Sequence, residues 1–195
     1  MDVNAHLARR VTSLRKARGW TMEQLAEQSG VSRSTISVIE RAETSATAVV
    51  LHKLAGALGV SLPALFAEDA RTEAELPLSR AAQQPAWTDP ASGYVRRNLS
   101  PPGYRTPIEL VEVTFPARQR IVFENAAATA VTHQQVWMLD GEMDITVGAT
   151  TWRLKKGDCL AMRLDGQVAF ENRTRRAARY AVAVTTVAQE FAGRG

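Results

Sequence analysis

The sequence predicts a two-domain protein, an all-α N-terminal half followed by an all-β C-terminal half, and three observations carry that prediction. All eight prolines of the 195-residue chain fall between Pro63 and Pro116, which divides it into three compositional zones. Up to Phe66, apolar residues recur at helical spacing between recognisable caps. From Tyr94 the rhythm changes to short alternating runs rich in β-branched and aromatic residues, punctuated by glycines at 141, 148, 157 and 166. The expected domains are 1–67, helical, and 94–190, an antiparallel sandwich or barrel, with 68–93 as linker.

Each helix has its own justification. Leu7, Val11 and Leu14 share one face of the first, with Asn4 as a cap and Gly19 where it stops. Thr21 followed by Gln24 reads as a capping box for the second, and Gly30 supplies the left-handed corner that ends it. Ser32 caps the third, whose first turn carries Arg33 and Ser34. Leu25, Ala26, Val31, Ile36 and Ile39 can be buried together across this helix pair, leaving Gln24, Arg33, Ser34, Ser37 and Arg41 on other faces. Val50, Leu51, Leu54, Ala55 and Leu58 define a fourth helix, ended by Gly59. Ser61-Leu62-Pro63 opens a short fifth with Leu65 and Phe66.

Two short helices joined by a tight turn suit a DNA-gripping element, and the residues match a known pattern. The segments LRKARGWTMEQLAEQSGVSRSTISVIERAE and LHKLAGALGVSLPALF resemble, in order and spacing, the XRE family of helix-turn-helix regulators, which includes phage repressors. The resemblance implies a five-helix, lambda-repressor-like domain over about Leu7 to Phe66. It places Arg33, Ser34 and Ser37 at base edges in the major groove, with Gln24, Thr35 and Arg41 nearer the DNA backbone. Arginine can bind guanine bidentately, whereas serine accepts several bases. Two departures stand out: Met22 replaces a common backbone-contacting glutamine, and Ala42 stands where glycine usually follows the recognition helix.

Bulk charge adds little. Residues 1–68 hold eight Lys/Arg against six Asp/Glu, and the remainder sixteen against fourteen, so the net +4 is not concentrated in the helical half. Arg9, Arg10, Arg15, Lys16 and Arg18 on the first helix offer some phosphate-seeking charge. No apolar run approaches the ~20 residues of a membrane span and no secretory leader is visible, so a soluble, cytoplasmic protein is expected. The single cysteine, Cys159, excludes an intrachain disulfide framework.

In the second half, IELVEVTF, RQRIVFE, THQQVWML, EMDITV, DCLAMRL and YAVAVTTV are strand candidates. Between the domains, a helical turn near 70–75 is expected, and Trp87 is expected to pack against one domain. The stretch from HQQVWMLDGE through KKGDCL to YAVAV resembles the cupin fold, a double-stranded β-helix or jelly-roll barrel. Many cupins hold a divalent metal with histidines and a glutamate. Here His133 is the only histidine of that half, followed by Gln134 and Gln135 where carboxylates commonly sit, and Val168 occupies the region of the second motif's histidine. No metal, no cofactor and no catalytic residue are therefore expected.

What remains is an apolar interior suited to a small molecule. Strand alternation groups His133, Gln135 and Trp137, and separately Cys159 with Arg163; if those faces point inward, they line a pocket with Tyr180. The alternatives are a structural histidine at 133 and a buried, inert cysteine at 159. The two resemblances together imply a non-enzymatic transcriptional regulator that binds a double-stranded operator as a homodimer and responds to a small-molecule effector. Two other readings stay open: a metal-dependent cupin enzyme fused to a DNA-targeting arm, and a ligand-independent repressor using the barrel only to dimerise.

Overall fold

The computed structural model describes residues 2–66, 76–104, 106–125 and 130–188; the helical turn expected near 70–75 lies outside them. The N-terminal head has four α-helices: α1 Val3–Ala17, α2 Met22–Ser29, α3 Arg33–Glu40 and α4 Ala48–Ala57. The expected fifth α-helix is instead a single 3-10 turn, Pro63–Phe66. Four residues beginning with proline cannot complete an α-helical turn of internal hydrogen bonds, and Leu65 and Phe66 are held by burial. The first helix is capped by Asp2, whose Oδ1 accepts from the amides of Asn4 and Ala5, rather than by Asn4. Thr21 and Gln24 form the capping box reciprocally, and Gly30 closes α2 at φ 64°. Val11, Leu25, Ile36, Leu51, Leu54, Leu58 and Leu65 are fully buried and form the head's core.

Among the described residues ten strands follow: β1 Ala86–Thr88, β2 Val95–Asn98, β3 Glu109–Phe115, β4 Arg120–Glu124, β5 Ala130–Asp140, β6 Glu142–Val147, β7 Thr150–Lys155, β8 Cys159–Arg163, β9 Gln167–Glu171 and β10 Ala178–Ala188. They form two antiparallel sheets, ordered β1-β2-β3-β10-β5-β8 and β4-β9-β6-β7. The alternation of successive strands between the sheets, β3 with β10 and β5 with β8 in one and β4 with β9 and β6 with β7 in the other, is jelly-roll topology. Val111, Phe115, Val136, Met138, Met143 and Ile145 fill the space between them. At the tight turn between β5 and β6, Gly141 has φ 78°, and a Cβ there would stand 3.0 Å from Ala178 Cα. No bulkier residue fits without moving β10.

The sheet begins at Ala86, inside the segment read from sequence as linker. Trp87 pairs in register with Arg96 and is buried between Phe66 of the head and Tyr94 of the barrel, at ring separations of 5.7 and 5.9 Å. The head thus rests on the barrel through an aromatic seam. Three further contacts fix it there. Ala48, the first residue of α4, donates its amide to Asp89 Oδ1 at 2.9 Å; Ser61 Oγ hydrogen-bonds Glu109; and the His52 ring lies 5.0 Å from that of Phe123.

Candidate DNA-reading face and interdomain cavity

The helix-turn-helix pair is built from its caps outward. Ser32 Oγ accepts from the amide of Thr35 at 3.1 Å, which fixes the start of α3 and leaves Arg33 and Ser34 exposed on its first turn. Ser37, one turn later, is half-buried and accepts a hydrogen bond from Arg41. Arg33 forms an ion pair with Glu23 on α2, and both side chains are more than three-fifths exposed. Arg41 is held by Glu43 through Nε and Nη2 at 2.6 and 2.7 Å. Both pairs lie in solvent, where salt screens them and a competing anion can take either arginine. Gln24 is exposed, with its Oε1 engaged by the Thr21 amide and its Nε2 unassigned to any cap. The structure therefore brings Arg33, Ser34 and Ser37 onto one helix, with Thr35 at its cap and Gln24 and Arg41 flanking it.

Three of the arginines expected to seek phosphate make contacts inside the head, and Arg10 Nε donates to the Ala64 carbonyl at 3.3 Å. Arg15 makes a bidentate pair with Glu40, Nε to Oε1 at 2.7 Å and Nη2 to Oε2 at 2.6 Å, with side-chain exposures of 10% and 5%. Its remaining nitrogen donates to the Trp20 carbonyl at 2.9 Å. This triad bolts α3 to α1 and fixes the orientation of α3 within the head. Arg18 donates to the Leu58 carbonyl at the end of α4, which satisfies a terminal carbonyl there.

The pocket residues proposed from sequence require a correction. His133, Gln135, Trp137, Cys159 and Arg163 all stand on the outer, exposed face of the six-stranded sheet; of the six, only Tyr180 points inward. In register, His133 faces Arg163 and Trp137 faces Cys159 across the β5–β8 pair, so the grouping was right and the side was wrong. A strand's period is two, and a parity choice moves every residue together. The inward set is Thr132, Gln134, Val136 and Met138. Its signal lay in pairing with β10, where Tyr180, Val182 and Val184 oppose Met138, Val136 and Gln134. Cys159 is exposed, against the expectation of burial, with its sulfur 3.9 Å from Gln135 Oε1.

A cavity of about 880 Å³ opens between the barrel's inner face and the head. Its barrel wall is mostly apolar, with Val113, Phe115, Ile121, Phe170 and Val182, and carries polar groups that include Arg96, Glu124, Asn125, Gln134 and Tyr180. Its head wall comes from α4, through His52, Lys53 and Gly56, and from Gln28 and Ser29 at the end of α2. Burial pushes the His52 imidazole below its ordinary value, against the hydrogen bonds it donates to Asn125 and to the backbone at Glu124, which favour its charged form. Burial also pushes the Tyr180 phenol well above its ordinary value. Sequence reasoning missed Arg96 and His52. The first sits in VRRN, which has no apolar alternation, and the second lies on a helix face that becomes buried only when the head docks.

The cupin resemblance implies a metal, and the donor set does not fit one. The single barrel histidine lies outside, the inward positions of β5 carry Thr132, Gln134 and Val136, and among the described residues no group of three His, Cys, Asp or Glu converges. Among the described residues, no helix is long and apolar enough to cross a membrane.

Comparison with known proteins agrees with the head's geometry. The helix-turn-helix family HTH_3 matches residues 12–65. The control protein C.SmaI of Serratia marcescens is 43% identical over 66 residues, 34% of this chain and 79% of that protein. The HTH-type transcriptional regulator SutR of Escherichia coli is 43% identical over 54 residues, 28% of this chain, and SinR of Bacillus subtilis 35% over 68 residues, 34% of this chain. The matched segments span 30% of SutR and 61% of SinR. In fold, an HTH_3 family transcriptional regulator from Vibrio cholerae superposes with a TM-score of 0.75 at 23% identity, covering 94% of this chain and 96% of that one. The capped helix pair and the matched family make this chain a member of the XRE-type helix-turn-helix family of transcriptional regulators, with a jelly-roll β-domain behind the head.

Proposed function

We propose that this regulator binds its operator as a homodimer through α3 and changes its operator affinity when a small metabolite enters the interdomain cavity. The observation that carries the reading is the shared wall of that cavity. Helices α2 and α4 of the DNA-binding head form one side and the barrel the other, so an occupant touches both. A ligand that binds one head–barrel arrangement better than another shifts the population between them, and operator affinity follows.

Within the head, Arg33 reads a base, Ser34 and Ser37 add permissive contacts, and Gln24, Thr35 and Arg41 hold phosphates. One short helix makes few specific contacts, which a two-fold pair doubles. The outer face of the six-stranded sheet supports dimerisation. Trp137 and Leu110 are 53% and 44% exposed there, beside Ala161, Ala181 and Ala183, whose small side chains leave a flat surface. Binding of genomic fragments, followed by footprinting, tests the whole reading. A two-fold operator whose affinity shifts with a cavity ligand is expected. An affinity indifferent to every ligand that stabilises the protein would leave a ligand-independent repressor.

A further inference from the structure

We infer that the interdomain cavity selects a small monocarboxylate with an apolar body, anchored by Arg96 and closed over by α4. The inference deepens the sensing role proposed above and rests on it for its regulatory consequence, though not for the binding itself.

Arg96 projects from β2, opposite Val113 of β3, into the cavity wall. It is buried, yet among the described residues neither its Nε nor its Nη2 has a hydrogen-bond partner. An arginine keeps its charge in proteins, and a buried charge without a partner is costly. Its neighbours leave that edge of the guanidinium unbonded. Tyr94 hydrogen-bonds the guanidinium through a neutral phenol, and the Phe66 ring lies 5.8 Å from the guanidinium carbon. Glu109 attracts it through space, with its carboxylate hydrogen-bonded to Ser61 of the head. Two free N–H groups on one guanidinium present the fork that a carboxylate accepts.

The rest of the cavity sets the other requirement. Val113, Phe115, Phe170 and Val182 share the cavity wall with Arg96 and make it largely hydrocarbon, a poor site for a doubly charged, heavily hydrated phosphate and a good one for an alkyl or aryl group. On the opposite wall, Lys53 of α4 adds a second cation and His52 a ring that packs on Phe123. A carboxylate on Arg96 with its apolar body reaching α4 would bridge barrel and head.

The test uses the full chain and three probes of increasing size, hexanoate, phenylacetate and indole-3-acetate, each against its neutral amide, with inorganic phosphate as a further arm. Calorimetric titration is expected to show at least one carboxylate binding about tenfold or more tighter than its amide. Arg96→Met should reduce that carboxylate to the amide's level, and Arg96→Lys should retain part of the difference. Should Arg96→Met fail to fold, the acid-against-amide comparison in the unaltered protein still decides. No binding by any carboxylate, equal binding by acid and amide, or preference for phosphate would overturn the inference. Operator affinity is measured in parallel. Arg96-dependent carboxylate binding without a change in operator affinity supports the anchor and refutes sensing. A change driven equally by the amide supports sensing and refutes the anchor.

Discussion

Asp89 Oδ1 accepts a hydrogen bond from the amide of Ala48 at 2.9 Å, so a barrel-side carboxylate caps the helix that closes the cavity. Oδ2 of the same group accepts from the Ser92 amide at 2.9 Å, which locks the carboxylate in place. Helix α4 presents its free N–H groups and the positive end of its dipole at this point. Replacing Asp89 by alanine leaves a buried amide unpaired and should cost about 2 kcal/mol. Calorimetric unfolding checks it: the variant's melting should separate into head and barrel transitions where the parent protein shows them coupled.

Ala42 offers a gain. It sits at φ 57°, a left-handed conformation that disfavours a Cβ, and its amide and that of Glu43 close α3 by bonding the carbonyls of Ile39 and Val38, each at 2.9 Å. Ala42→Gly should raise stability by up to about 1 kcal/mol, since the relief of 1–2 kcal/mol roughly outweighs the added freedom of the unfolded chain. Chemical denaturation should show a higher midpoint with an unchanged slope.

The Arg15–Glu40 pair predicts a loss. Glu40→Ala strands a largely buried guanidinium and should destabilise the head by about 3 kcal/mol. Glu40→Gln, which keeps two polar atoms facing Arg15, should cost less. Melting of the two variants ranks them, and operator affinity at a temperature where both are folded should fall with the orientation of α3.

The pH dependence follows from His52. Its folded-state value lies below the ordinary 6.5, so between the two values the unfolded chain binds more protons. Stability is then fully present above about pH 6.5 and declines as pH falls below it, by at most about 1.4 kcal/mol per pH unit. Glu109, raised above its ordinary value by burial, slopes the other way at lower pH. The comparison is therefore a difference: His52→Phe should flatten the profile between pH 7 and 5.5 relative to the unaltered protein.

Arg33→Ala should lower specific operator binding at least tenfold while nonspecific binding falls far less, because one guanidinium contributes a bidentate base contact but only one of many backbone charges. Unchanged selectivity in competition footprinting would remove Arg33 from base reading.

Much of the fold was legible because it rests on local rules. The capping box at Thr21, the left-handed Gly30 and the spacing of Leu25, Ile36 and Ile39 involve neighbours along the chain, and six strands announced themselves by alternation. The strands missed lacked that mark. β7 buries only Leu154, β9 is apolar for three consecutive residues, and β1 is three residues long. The cavity was the least legible feature. His133 and Trp137 carry suggestive chemistry, yet which side of β5 faces inward depends on pairing with β10 and β8, partners distant in sequence.

The sequence by itself determined the helix-turn-helix head and the exposed first turn of α3, since caps and periodicity are local properties. Tertiary structure alone decided that Arg15 bolts α3 to α1, and that Arg96 is buried with its Nε and Nη2 unbonded among the described residues. It also placed the cavity between head and barrel. Those outcomes turn on which distant side chains meet, and long-range packing sets burial, pairing and the effective strength of every charge.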